Sequence, residues 1–326
     1  MDIAVTGGSG FVGRHVARAL LAAGASVRLL VRDAGRVPDE LRDRCRVVVG
    51  DVTRPETIPA LVTGATHVVH MAAVVGSGGT GLDGYRAVHV SGTRVLTEAA
   101  ARAGVERFVH LSSVGIYGDT GPLGASEVTP AHPQDAYELS KWEGEEVARE
   151  VASRTGLPLV VLRPAGVYGR WDRRLLKLFR GVSRGRFVMI GPGSCRYHLV
   201  HVDDVAAAIG AALEHPAAVG QDFIVAGPES VVLSDLVARV AKLAGRASPS
   251  VRIPLAPVLL AARLTAAVCR PLGLDPPLYP ERVAFFTKQR VYSIDKARHL
   301  LGFTPRVDLD QGLARTLLDY RADGWL

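Results

Sequence analysis

Met1-Asp2-Ile3-Ala4-Val5-Thr6-Gly7-Gly8-Ser9-Gly10-Phe11-Val12-Gly13 is the stretch that decides the fold. Ile3, Ala4 and Val5 form the short apolar run that a central parallel strand needs when both its faces are buried. Glycines follow at 7, 10 and 13, and an amphipathic segment runs from Arg14 to Ala23. A strand, a glycine turn and a helix in that order give a glycine motif its weight. Gly7 permits the tight turn, Gly10 lets backbone approach a pyrophosphate, and Gly13 lets the helix pack close to the strand. The helix start then offers free N–H groups to the anion. Thr6, Gly7, Gly10, Phe11, Val12 and Gly13 are therefore the first candidate cofactor contacts.

The spacing is Gly-x-x-Gly-x-x-Gly rather than the commoner Gly-x-Gly-x-x-Gly. TGGSGFVG resembles the cofactor loop of the extended short-chain dehydrogenase/reductases, the NAD-dependent epimerase/dehydratase branch. That resemblance implies an α/β, doubly wound parallel-sheet Rossmann fold with a smaller C-terminal α/β substrate lobe. The expected division is a dinucleotide-binding domain over 1–168, with return segments at about 197–226, and a substrate lobe over 169–196 and 227–326.

Composition narrows the classes. The 326 residues are 48% hydrophobic and 22% charged, enough for a large core. Net charge is +7 and the pI about 9.6, but the arginines are scattered, with no aromatic-interleaved basic stripe. The balance suits an anionic cofactor better than nucleic acid, which is not expected as a partner. Three distant cysteines, Cys45, Cys195 and Cys269, make neither a disulfide framework nor a metal-ligand pattern, so no metal is expected. Met1 leads straight into a core strand, which points to a cytoplasmic protein without a signal peptide. The longest apolar stretch, Ile253 to Cys269, is broken by two prolines and Arg263 and is too short to span a bilayer. No transmembrane segment is expected, and peripheral membrane contact stays open.

Further strands are expected at 27–31, 46–52, 67–73, 107–113 and 157–164. Arg32 follows the second, where a guanidinium suits a 2′-phosphate, so NADP is preferred; Asp33 keeps NAD open. Gly50-Asp51-Val52 resembles the family's adenine contact, with a plain cap as the other reading of Asp51. His70-Met71-Ala72-Ala73 matches the family's His-x-Ala-Ala, implying cofactor contacts at Met71, Ala72 and Ala73 and a structural His70. Val74, just beyond, is a candidate substrate contact. Gly76 to Gly81 reads as a loop at the site's rim. Val88-His89-Val90-Ser91-Gly92-Thr93 is close to the family's Asn-Val-x-Gly-Thr, but His89 stands where the Asn is usual. His89 is kept as a candidate cofactor-side residue.

Ser112-Ser113 through Tyr117-Gly118 resembles Ser-Ser-x-x-Val-Tyr-Gly, and Tyr137-Glu138-Leu139-Ser140-Lys141 supplies Tyr-x-x-x-Lys 24 residues after Ser113. Residues i and i+4 share a helical face, so Lys141 can hold the cofactor ribose and lower the Tyr137 phenol pKa from about 10 towards neutrality. Tyr137 is then the general acid/base at the substrate oxygen, with Ser113 sharing that oxygen. Arg163-Pro164-Ala165-Gly166-Val167-Tyr168-Gly169 resembles the family's Arg-Pro-x-x-Val-Tyr-Gly, implying Pro164 and Val167 beside the nicotinamide. Many relatives carry Asn where Gly166 stands. His201-Val202-Asp203-Asp204 resembles a segment that locks the two lobes together, and 293–305 matches the family's closing segment.

Nucleotide-sugar enzymes of this kind usually place an Arg where this chain has Tyr197, and a phosphate-gripping run where it has Ala284-Phe285-Phe286. Ile253–Cys269 resembles the hydroxysteroid-dehydrogenase-like and dihydroflavonol-reductase-like branches; it can bury an apolar ligand, form a dimer contact or be plain core. The expected activity is NAD(P)-dependent interconversion of a secondary alcohol and a ketone on a mostly apolar small molecule. The alternative is a nucleotide-sugar epimerase or dehydratase that recycles its cofactor in place. Val74, Ser113, Tyr137, Gly166 and Tyr197 are the candidate substrate contacts. A homodimer is expected from the family, through the helices bearing Tyr137 and Gly92.

Overall fold

The computed structural model describes residues 1–75, 81–269, 274, 278 and 283–326. Most of the glycine-rich run expected at the site's rim, residues 76–80, lies outside them. The strands are β1 Asp2–Thr6, β2 Ser26–Val31, β3 Arg46–Val49, β4 His67–His70, β5 Arg107–Leu111, β6 Leu159–Pro164, β7 Gly166–Tyr168, β8 Met189–Ile190, β9 Arg196–His201, β10 Asp222–Val225, β11 Ser230–Val232 and β12 Arg252–Ile253.

Alternation decides the layers, because successive side chains of a strand face opposite ways. Ile3 and Val5 of β1 join one apolar cluster, with Val16 of the helix Phe11–Ala22 and Val205 and Ile209 of the helix Val202–Glu214. Ala4 joins another, with Leu96 and Ala100 of the helix Thr93–Arg102 and Ala148 of the helix Ala136–Thr155. Both faces of the sheet are thus covered. Its seven strands, all parallel, run in the order β10-β6-β5-β4-β1-β2-β3. β6 is buried at all six positions, and each fully buried aliphatic side chain there contributes about 1.5–3 kcal/mol.

A third cluster, the core of the second lobe, is built on Leu176, Phe179, Leu236, Val240, Leu313 and Tyr320 and supports a three-stranded sheet, β11-β9-β7, and the short pair β12-β8. β7 lies before the expected boundary at 168 but pairs in this second sheet, against β9. β3 ends at Val49, three residues short of the expected strand, so Asp51 sits in a turn. The helix Leu233–Leu243 packs Leu236, Val237 and Val240 into the third cluster. Asp204 joins the two halves: its carboxylate accepts from the backbone N–H of Arg306 at 2.8 Å and of Val307 at 3.2 Å. No helix among the described residues is long and apolar enough to cross a membrane.

Candidate active site

The strand order reverses between β1 and β4, and in doubly wound sheets ligands bind beyond the carboxyl ends of the strands at that point. A cleft of about 680 Å3 lies there. It is lined by the ends of β1, β4, β5 and β6 through Thr6-Gly7, Met71 to Val74, Ser113 and Pro164, with Gly10 to Gly13, Arg32, Asp51, Val52, Tyr137, Lys141 and Val167 around them.

The glycine loop is shaped by close packing. Gly7 has φ +74°, and a Cβ on Gly13 would stand 2.1 Å from the Gly7 carbonyl oxygen. Only hydrogen fits at 13, so the helix Phe11–Ala22 begins hard against the turn and aims its first N–H groups, which have no partner within the helix, at the cleft. Arg32 is exposed at the cleft. Ser112 also lines the cleft, with a buried hydroxyl that has no partner among the described residues. Free backbone donors, an exposed guanidinium and an unpaired hydroxyl at a switch point fit a dinucleotide.

Asp51 lines the cleft, but its carboxylate accepts from the backbone N–H and hydroxyl of Thr53, each at 2.9 Å. Its carboxylate caps a turn, and its backbone N–H donates to Thr57 Oγ1 at 3.2 Å. Asp33 is engaged by Gly35 N–H at 2.9 Å and does not line the cleft.

Ser113, Tyr137 and Lys141 come together. Ser113 accepts from Gly115 N–H at 3.0 Å, which fixes its hydroxyl at the end of β5. Asp135 caps the helix Ala136–Thr155 by accepting from Glu138 N–H at 2.8 Å, presenting Tyr137 and Lys141 on its first turns. Tyr137 is hydrogen-bonded to Ser113. Its pKa is nevertheless raised, because burial outweighs the lowering by Arg174 and by that hydrogen bond. The expectation that Lys141 brings it towards neutrality is corrected here: Lys141 Nζ donates to the Leu111 carbonyl at 2.6 Å, and burial lowers its own pKa to about 8.

His89 sits on a π-helical turn, Ala87–Gly92. Its Nε2 accepts from Val74 N–H at 3.0 Å, so the ring proton is assigned to Nδ1, which donates to Ser140 Oγ at 2.8 Å. Ser140 in turn donates to the Tyr137 carbonyl at 2.8 Å. Both imidazole nitrogens are spent, and burial with the nearby Lys141 charge takes the pKa to about 3. His89 is thus a tie beneath the cleft and not a lining residue, edge-on to the Tyr137 ring at 5.6 Å. His70 is structural as expected, held between Thr6 Oγ1 at 2.7 Å and Thr93 Oγ1 at 2.9 Å.

Two expected substrate contacts do not line this cleft. Tyr197 is buried in the core of the second lobe, with its hydroxyl donated to the Phe285 carbonyl and its ring 5.1 Å from that of Phe285. Gly166 is paired with Leu199 in the second sheet, where a Cβ would meet the Leu199 side chain at 2.8 Å. The helix Leu255–Cys269 also stays off the cleft and exposes Leu260, Leu264 and Val268 along one side.

Sequence reasoning missed Arg14, Trp171 to Arg174 and Trp325, all of which line the cleft. The run Gly169-Arg170-Trp171-Asp172-Arg173-Arg174, three arginines around a tryptophan, was the available signal.

The model of the NAD dependent epimerase/dehydratase family matches residues 3–227. A 3β-hydroxysteroid dehydrogenase/Δ5→4-isomerase of Mycobacterium tuberculosis is 30% identical over 339 residues, covering 98% of this chain and 90% of that protein. A decarboxylating sterol-4α-carboxylate 3-dehydrogenase of Saccharomyces cerevisiae is 28% identical, covering 97% of each. The crystal structure of a dTDP-glucose 4,6-dehydratase from Streptomyces venezuelae with NAD bound superposes with a TM-score of 0.82 at 25% identity, covering 100% of this chain and 98% of the other.

Proposed function

The chain belongs to the NAD-dependent epimerase/dehydratase family, and from that premise we propose that it interconverts a secondary alcohol and a ketone on a mostly apolar small molecule. The observation that carries this reading is that Ser113, Tyr137 and Lys141 line one cleft with the glycine loop and with Pro164 and Val167. A bound nicotinamide supplies or accepts the hydride. In reduction Tyr137 gives its hydroxyl proton to the carbonyl oxygen, and in oxidation it takes the carbinol proton back. Ser113 holds the same oxygen. Lys141 lines the same cleft and holds the cofactor ribose, its Nζ anchored on the Leu111 carbonyl.

Two features support an apolar substrate: the alcohol/ketone chemistry in the names of the sterol relatives, and a core tyrosine at 197, where a nucleotide-sugar enzyme is expected to place a diphosphate-gripping Arg. The exposed Arg32 supports a preference for NADP over NAD. We also propose a cytoplasmic homodimer through the helix Ala136–Thr155, which bears Tyr137, and the helical stretch 87–102, which bears Gly92. In the same reading 1–168 with 197–226 serve the cofactor, and 169–196 with 227–326 serve the substrate.

Calorimetric titration with NAD(H) and NADP(H), then with UDP and a steroid-like ketone on the loaded protein, tests the reading. The ketone should bind and turn over with stoichiometric consumption of reduced cofactor. Tyr137→Phe should lower kcat by at least about 10²-fold with little change in cofactor Kd. Micromolar binding of UDP with no net cofactor turnover would replace this reading with the nucleotide-sugar epimerase or dehydratase. Undiminished turnover by Tyr137→Phe would remove the acid/base role.

A further inference from the structure

The segment after β7 builds a cationic wall on the cleft. Trp171 has φ +70°, a conformation that a bulky side chain adopts only when its surroundings hold it there. Three guanidiniums surround its ring, Arg18 at 4.5 Å, Arg170 at 4.9 Å and Arg14 at 5.5 Å from the centroid. Asp172 fixes the backbone next to it, accepting from Arg174 N–H at 2.9 Å and Leu175 N–H at 3.1 Å, while its own carbonyl accepts from the Tyr320 hydroxyl.

The charges here are unevenly balanced. Arg18 is paired with Glu40 and Arg170 with Asp323. Arg14 has no carboxylate partner among the described residues; it donates to the carbonyls of Ser9 at 3.0 Å and Arg36 at 3.3 Å. Arg173 is exposed, lies over the Trp325 ring at 5.4 Å, and likewise has no carboxylate partner among the described residues. Both line the cleft, together with Ser9 and Gly10 of the glycine loop. They are close enough to repel: the pKa of Arg14 is lowered first by burial and then by the Arg173 charge. Two unneutralised guanidiniums at the mouth of one cleft favour an anionic occupant, whose charge relieves that repulsion.

We propose that Arg14, from the first helix, and Arg173, from the segment entering the second lobe, clamp the diphosphate bridge of the bound dinucleotide. Trp171 is the platform that holds the two elements together. This rests on the dinucleotide reading above. The glycine loop offers the diphosphate uncharged backbone donors from one side, and the clamp adds the full positive charge that those donors lack. Because the 170–174 segment leads directly into the helix Leu175–Ser183, binding the diphosphate also ties the second lobe to the sheet.

The test is equilibrium binding by calorimetry of NADH, NADPH, ADP and AMP to the full chain and to Arg173→Ala and Arg14→Ala. Arg173 is exposed and unpaired, so its truncation leaves the fold intact even where Arg14→Ala disturbs the loop. The clamp predicts that Arg173→Ala weakens NADH, NADPH and ADP by a similar factor, roughly tenfold for loss of a charged hydrogen bond, and narrows the preference for ADP over AMP. Wild-type affinities in Arg173→Ala would overturn the clamp and leave the dinucleotide reading standing. A loss confined to NADPH would also overturn it, because the guanidinium would then be reading the 2′-phosphate. Failure of the unaltered chain to bind any of the dinucleotides would remove both.

Discussion

Lys141 carries its amine into a nearly closed interior: the residue is 4% exposed, and the Leu111 carbonyl accepts from its Nζ. Its charge lies within reach of His70, His89 and His110, whose pKa values are lowered chiefly by burial and then by that charge. These imidazoles are neutral, and Lys141 is the cation among them. The sign of its effect on stability follows from its own pKa, about 8 when folded against 10.5 for the free side chain. Between those values the unfolded chain holds more protons, so this residue's contribution to stability rises with pH. Below pH 8 the full cost of burying the charge is present, of the order of 3 kcal/mol, and above about pH 10.5 it is gone. Lys141→Met should therefore gain stability relative to the unaltered chain at pH 7, and the gain should shrink as the pH approaches 10.5. Urea midpoints at pH 7, 9 and 10.5 measure this, and a difference independent of pH would contradict it.

At the scale of elements, the site depends on how closely the helix Ala136–Thr155 approaches the π-helical turn Ala87–Gly92. Gly144 is the point of contact: a Cβ there would stand 2.1 Å from the His89 carbonyl oxygen, which is backbone and cannot swing aside. Gly144→Ala should cost about 1–3 kcal/mol through overpacking. It should also lower turnover, because His89 holds both Val74 and Ser140 next to Tyr137. Gly210, inside the helix Val202–Glu214, has nothing within 4 Å of its Cβ position. There the same substitution should stabilise by about 0.5–1 kcal/mol, since alanine loses less backbone entropy on entering a helix. Chemical denaturation of the pair gives the comparison; equal signs would show that the close approach at 144 is not what holds the glycine there.

Across the whole molecule, a buried ionic network joins the sheet to the helix that carries Tyr137 and Lys141. Arg163 of β6 donates from Nε to Glu145 at 3.1 Å, bonds the Tyr117 hydroxyl and pairs with Asp222 of β10. Arg149 reaches the same two carboxylates, Glu145 at 2.9 Å and Asp222 at 3.5 Å. The guanidinium–carboxylate pairing keeps the pKa of Glu145 low despite its burial, which alone would raise it. Removing one partner strands the others, so Arg163→Met should cost about 3 kcal/mol or more, and adding Glu145→Met should recover part of that loss. Thermal and urea unfolding of the single and double variants decide it. Additive losses would mean that the network is not a unit.

The sequence by itself determined the doubly wound sheet, because runs such as Ile3-Ala4-Val5 and the apolar stretch before Arg163 have only one use once a glycine turn and a helix follow the first of them. It also carried the resemblance that singled out Ser113, Tyr137 and Lys141, and the i and i+4 spacing set Tyr137 and Lys141 on one helical face, a local property that a helix cannot undo. Tertiary structure decided what depends on distant neighbours. Tyr197 reads as a pocket residue in the chain and lies in a core because Phe285, 88 positions away, takes its hydroxyl. The orientation of Lys141 was set by the Leu111 carbonyl, and the neutral state of His89 by burial and by Val74. Arg14 and Arg173 line one cleft because Trp171 packs onto the first helix from a segment some 150 residues downstream. Charge and solvation act through space, and no spacing along the chain encodes which groups will share a cleft.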